Sequence, residues 1–187
     1  TWSEQNNIGT ARYENWHVGV QTASLFFGGS YPGGTTGAVE EYDGSSWSEQ
    51  NDLGTARYTI GGAGIKTAAL GFGGGPETKN ETEEYNGSSW TAGGDMNTHA
   101  QAMGGAGTQT AGVMFRRGAN PSDDDKNIEE YNGSSWTTSP AKMQVCEEFS
   151  ASSQNAPSSD SIIFGDSSTI VSTEQWNGTV CVTAPNL

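Results

Sequence analysis

The apolar residues of this chain come in short runs bounded by glycine, and none keeps the three-to-four-residue spacing of an amphipathic helix over a useful length. The stretch from residue 56 shows the pattern best. Ala56-Arg57-Tyr58-Thr59-Ile60-Gly61-Gly62-Ala63-Gly64 is small and apolar, which suits a strand packed closely by neighbours on both faces. Lys66-Thr67-Ala68-Ala69-Leu70-Gly71-Phe72 reads as a second buried strand, stopped by Gly73-Gly74-Gly75-Pro76. A polar loop, Glu77 to Asn80, leads to a third strand around Thr82–Tyr85. Asn86-Gly87 predicts a two-residue hairpin turn, and a fourth strand begins near Trp90. The unit is four short antiparallel strands, and the chain is all-β.

The unit recurs. Glu-Glu-Tyr-(Asp/Asn)-Gly-Ser-Ser-Trp occurs at Glu40–Trp47, Glu83–Trp90 and Glu129–Trp136, with a worn copy at Thr173–Val180. Trp2, Trp47, Trp90 and Trp136 are spaced by 45, 43 and 46 residues, and a further 45 residues reaches Cys181. A four-stranded unit copied at this period predicts a β-propeller of about four blades. Residues 11–53, 54–96, 97–142 and 143–187 form the repeats of a single domain, and residues 1–10 a spare outer strand. Membership of a larger propeller is the alternative. Thr1–Asn7 duplicates Ser46–Asp52, whereas Cys181–Leu187 already aligns with a fourth strand for the last blade. Five outer strands thus compete for four blades. Pro185 and the missing Trp make the C-terminal version the poorer strand. Trp2 either clasps blade four or belongs to a preceding blade or another subunit. Because Thr1 lies in mid-repeat, a further segment upstream is expected.

An Arg early in the first strand (Arg12, Arg57), an aliphatic strand ending in Gly-Gly (Gly28-Gly29, Gly73-Gly74), then Glu-x-Tyr and a Trp resemble the kelch repeat. The resemblance covers nearly the whole chain. In the third unit Arg116-Arg117 replaces the glycine pair, and the fourth unit departs furthest. The near-verbatim copies, such as Gly-Thr-Ala-Arg-Tyr and Gly-Ser-Ser-Trp, resemble kelch-like repeat proteins of marine phages and marine environmental sequences. The resemblance implies kelch-like blades and a virion setting.

Composition is consistent with this picture. Hydrophobic residues are 32% of the chain and glycines number 27, so the core must rest on few, large side chains: six Trp, six Tyr and six Phe. The formal net charge of −14 excludes nucleic acid and anionic lipid as partners and suits a salty medium where self-repulsion is screened. No stretch approaches the apolar length of a membrane span. Cys146 and Cys181 lie in the last repeat. They can pair, but two small buried hydrophobes is the reading favoured here. Metal-ligand spacing such as Cys-x-x-Cys does not occur.

Candidate binding residues are sparse. Asp123, Asp124 and Asp125 form an acidic run that can collect Ca²⁺, the one metal or cofactor the chain suggests. The run lacks the spacing of a dedicated calcium loop, and a solvated loop tip is the simpler reading. Arg116 and Arg117 can fork onto carboxylates of an acidic partner or glycan, or pair with the aspartates of the same loop. Tyr13, Tyr58 and Trp16 can stack on sugars if they lie on the loop face; inter-blade packing competes with that role. Each Glu-Glu pair puts one carboxylate on each sheet face, with Arg12 and Arg57 as partners for Glu41 and Glu84. Asn80, Asn86, Asn132 and Asn177 begin glycosylation sequons, three of them within the Asn-Gly turn. His17 and His99 occupy different repeat positions and have no nucleophile pattern, so no catalytic residue is assigned.

The sequence therefore reads as a non-catalytic structural or binding module of an extracellular assembly, with a phage virion appendage or decoration protein as its specific form. Its partners are other protein subunits in a homo- or hetero-oligomer. A carbohydrate-binding or adhesive surface domain is the second reading, and an intracellular kelch adaptor the third.

Overall fold

The computed structural model describes residues 4–116, 126–144, 151–152, 157–164 and 173–184. It is a four-blade β-propeller, each blade a four-stranded antiparallel sheet. In blade one, β1 (Trp16–Val20), β2 (Ala23–Phe27), β5 (Val39–Tyr42) and β6 (Trp47–Gln50) lie side by side. A small two-stranded ribbon, β3 (Ser30–Tyr31) with β4 (Gly34–Thr35), decorates the loop after β2. Blade two is β7 (Gly61–Ile65), β8 (Ala68–Phe72), β9 (Thr82–Tyr85) and β10 (Trp90–Ala92). Blade three is β11 (Gly104–Thr108), β12 (Ala111–Phe115), β13 (Asn127–Tyr131) and β14 (Trp136–Lys142). Blade four is β15 (Ala151–Ser152), β16 (Ser161–Phe164), β17 (Thr173–Trp176) and β18 (Cys181–Ala184).

The strands follow the expected order, but the Asn-Gly hairpin is wider than expected. Tyr85 pairs with Trp90, so the Asn-Gly loop has four residues rather than two. The Asn86 side-chain oxygen accepts from the amides of Ser88 and Ser89, which holds the wider loop closed. Asp43, Asn132 and Asn177 repeat this arrangement. The two-residue turn is instead Lys66-Thr67, where Ile65 faces Ala68. It is made possible from within the strand: Gly64 has φ +101°, and a Cβ there would stand 2.2 Å from the Ala68 carbonyl oxygen.

Glycine also sets how closely the inner strands approach. β7 lies beside both β1 and β11, and β11 beside β15. A Cβ on Gly105 would come within 2.4 Å of the Gly62 carbonyl oxygen, and one on Gly62 within 2.7 Å of the Trp16 ring. The run of small residues is therefore a contact requirement, not a weak strand.

Each sheet has a front face toward the following blade and a rear face toward the preceding one. In blade two the front carries Leu70 and Phe72, and the rear Ala69, Tyr85 and Trp90. Three apolar clusters join successive blades. Leu25, Phe27 and Val18 pack against Ala69, Tyr85 and Trp90. Leu70 and Phe72 pack against Met114, Tyr131 and Trp136. Val113 and Phe115 pack against Ile163, Trp176 and Cys181. Phe27 meets Trp90 at 5.0 Å and Phe72 meets Trp136 at 4.9 Å between ring centroids, which places the repeated Trp in the seams between blades.

β18 supplies the outer strand of blade four. Residues 4–10 form no strand. Gln5 accepts from the Tyr42 hydroxyl, Asn6 accepts from the Trp47 indole, and the Asn6 side chain donates to Ser45 O. Asn51 donates to Ser88 O in the same way one repeat later. The described N-terminal residues thus approach blade one as a connecting segment approaches the next blade. Trp2 itself lies outside the described residues.

Candidate functional site

The recurring charged residues are used up as struts. Arg12 Nη1 pairs with Glu40 at 2.7 Å and Arg57 Nη2 with Glu83 at 2.8 Å, all four side chains being buried. The partner is the first glutamate of each pair, not Glu41 or Glu84 as the spacing suggested. Arg57 Nη1 also donates to the carbonyls of Gly73 and Glu81, so a single guanidinium ties the blade-to-blade connection to the end of β8. The free oxygen of each carboxylate accepts a backbone amide: Gly9 N at Glu40 and Gly54 N at Glu83. Blade three has Ala100 where blades one and two have Arg12 and Arg57. There Glu129 receives Asn97 N and Asn97 Nδ2 on Oε2, while Oε1 is buried without a partner.

The second glutamates work between blades. Tyr85 donates to Glu41 at 3.4 Å and Tyr131 to Glu84 at 2.5 Å. Desolvation, reinforced by these carboxylates, pushes both phenols up to about 12. In blade three burial raises the carboxyl of Glu130. Asp43 is fully exposed, yet the amides of Ser46 and Ser45 hold its carboxyl well below the usual range.

The other predicted site residues gather at the end of the propeller that carries the β2–β5 and β8–β9 loops. Tyr13 bridges Ser30, Tyr58 bridges Gly75, and Arg116 N donates to Asn127 O just after β12. Tyr13 is 54% exposed, Tyr58 is half-buried over Gly75, and the ribbon residue Tyr31 adds a second exposed ring at 39%. Trp16 packs between blades one and two, its indole against Gly62. The structure therefore brings Tyr13 and Tyr58 to one end and separates Trp16 from them. Arg117, Asp123, Asp124, Asp125 and Cys146 lie outside the described residues. Among the described residues no group of three or more His, Cys, Asp or Glu side chains is placed to hold a metal ion. His17 is exposed on β1, and His99 approaches Thr78 O on the loop end.

A surface that the sequence reading missed lies at the end of the blade series. The front-face positions Leu25, Leu70 and Val113 are fully buried by the following blade, whereas Ile162 is 43% exposed in blade four. Phe164 and Val182, on the same face, are 53% and 46% exposed. The signal was present in the alternation of Ser161-Ile162-Ile163-Phe164, which is apolar on both faces of one strand. An open depression of about 470 Å³ along Glu4, Gln5, Asn6 and Asn7 is polar and shallow, with no converging side chains.

No helix among the described residues is long and apolar enough to cross a membrane. No protein-family model matches the chain, and a comparison with curated proteins returns no relative.

Proposed function

We propose that this chain is a non-catalytic structural module that works by packing against other protein subunits of an extracellular assembly. The observation that supports it is the use of its polar chemistry. Among the described residues, the recurring Arg, Glu and Tyr side chains are turned into bonds within and between blades, and none converges on a cleft. What faces outward instead is an apolar row on a terminal blade. The kelch-like reading gains support from the same bonds. The Arg, the Gly-Gly, the Glu-x-Tyr and the Trp that carry the resemblance all sit at blade junctions, where a kelch-type blade needs them. A phage virion appendage or decoration protein is the specific form we favour, since an acidic, glycine-rich surface stays soluble in salt water.

Light scattering coupled to size exclusion tests the assembly reading: masses above the 19.6 kDa of one chain are expected at micromolar concentration. A strictly monomeric protein that binds a glycan array would replace it with the adhesive reading. That second reading rests on Tyr13 and Tyr31, exposed rings on the loop end that can stack on sugars.

A further inference from the structure

The three covered interfaces define what a front face of this propeller takes as partner. Each apolar front residue is covered by a rear face whose contact position is small: Ala69 lies in the cluster with Leu25, and a Cβ on Gly112 would come within 2.8 Å of Leu70 Cδ2. At the third interface the small residue is Ser161, buried on the rear of blade four. Beside it stands an aromatic ring: Tyr85, Tyr131 or Trp176. Where that ring is tyrosine, its hydroxyl donates to the central residue of the front row.

The chain carries one front face and one rear face outside these three interfaces. The front of blade four aligns Ile162, Gln175 and Val182 across its strands, with Phe164 alongside. In a chain of net charge −14 this row holds no charge, and Gln175 stands where blades one to three have Glu41, Glu84 and Glu130. The rear of blade one keeps the complementary set: Ser24 at the small position, Tyr42 opposite it, Trp47 beyond. Ser24 is half-exposed and matches the small size of Ala69, Gly112 and Ser161 at the equivalent positions. Both faces belong to the same molecule, and yet Ile162, Phe164 and Val182 remain open to solvent.

From this the geometry points to a head-to-tail contact in which the blade-four front face of one chain docks on the blade-one rear face of a second copy. Ile162 would cover Ser24, and Gln175 would take the place of Gln5 as acceptor of the Tyr42 hydroxyl, as Glu84 accepts that of Tyr131. The contact is heterologous, so it propagates from chain to chain until a ring closes or an end is blocked. This inference rests on the assembly reading above and names the surface that serves it.

Sedimentation velocity on the full chain, with Ile162→Lys and Ser24→Arg variants, tests it. Both positions are solvent-accessible, and thermal unfolding of each variant checks that folding is unchanged. The unsubstituted chain should grow in mass with concentration, and each variant alone should stay at the mass of one chain. An equimolar mixture of the two should form a dimer and nothing larger, because one open front face and one open rear face remain. If the unsubstituted chain associates and the variants associate equally well, the surface is wrong while the assembly reading stands. If it is monomeric and Ile162→Lys lowers its melting temperature, the face closes on blade one of the same chain. That result overturns both.

Discussion

The Tyr131 hydroxyl lies 2.5 Å from Glu84 Oε1, reaching from the rear face of blade three to the front face of blade two. A short bond from a neutral donor to a charged acceptor in a buried seam is among the stronger single contacts a propeller can make. Tyr131→Phe keeps the ring that packs on Trp136 and removes only this bond. It should cost about 1.5–3 kcal/mol, read as a lower midpoint in urea with unchanged slope.

The same bonds set an alkaline limit. Tyr85 and Tyr131 lose their protons near 10.0 in the unfolded chain and near 12 in the folded one. Between those values the native state holds more protons, so stability is complete below pH 10 and falls as pH rises toward 12. Absorbance titration of the folded protein should show Tyr85 and Tyr131 ionising late. Melting temperature should drop across the same window, less so in Tyr131→Phe.

Glu83 and Glu129 are equivalent by repeat and opposite in circumstance. Glu83→Gln strands the buried Arg57 guanidinium and should cost about 3–5 kcal/mol. Among the described residues no cation pairs with Glu129, and its Oε1 is buried without a partner. Glu129→Gln removes that uncompensated charge and should change stability by less than about 1 kcal/mol in either direction. Parallel urea curves on the two variants decide the matter; equal losses would contradict the assignment.

Gly105→Ala tests the close approach of inner strands. A Cβ there meets main chain of blade two at 2.4 Å, and main chain cannot rotate away. The expected loss is about 1–3 kcal/mol or more, with a lower thermal midpoint and no change in secondary structure by circular dichroism.

Much of this fold could be read from the chain because the repeat is written on it. Glu-Glu-Tyr and Trp mark the third and fourth strands of blades one to three, and the unbroken small run at Gly61–Gly64 marks an inner strand. Turn length was misjudged because Asn-Gly most often closes a two-residue hairpin, whereas here the Asn side chain caps two amides and spreads the loop to four. The Arg partners were assigned one residue off. Adjacent strand residues point to opposite faces, and sequence alone did not say which face the connection from the previous blade approaches. The open row at Ile162, Phe164 and Val182 shows in the chain only as a strand apolar on both faces, and which blade stands last in space is not written in that local pattern. Tyr13 and Tyr58 are equivalent by repeat, and each bridges the loop that follows the second strand of its blade.

The most direct test of the account is a disulfide cross-link between chains. Ser24→Cys and Ile162→Cys, placed in separate chains and mixed under oxidising conditions, stand at the positions that Gly112 and Leu70 occupy in the covered interface, where a Cβ on Gly112 would lie 2.8 Å from Leu70 Cδ2. A covalent dimer should form in the mixture and in neither variant alone, and a single chain carrying both substitutions should give a ladder of multimers on a non-reducing gel. A doubly substituted chain that runs only as a faster-migrating monomer, with no dimer in the mixture, would show blade four packed on blade one of its own chain and would contradict the account.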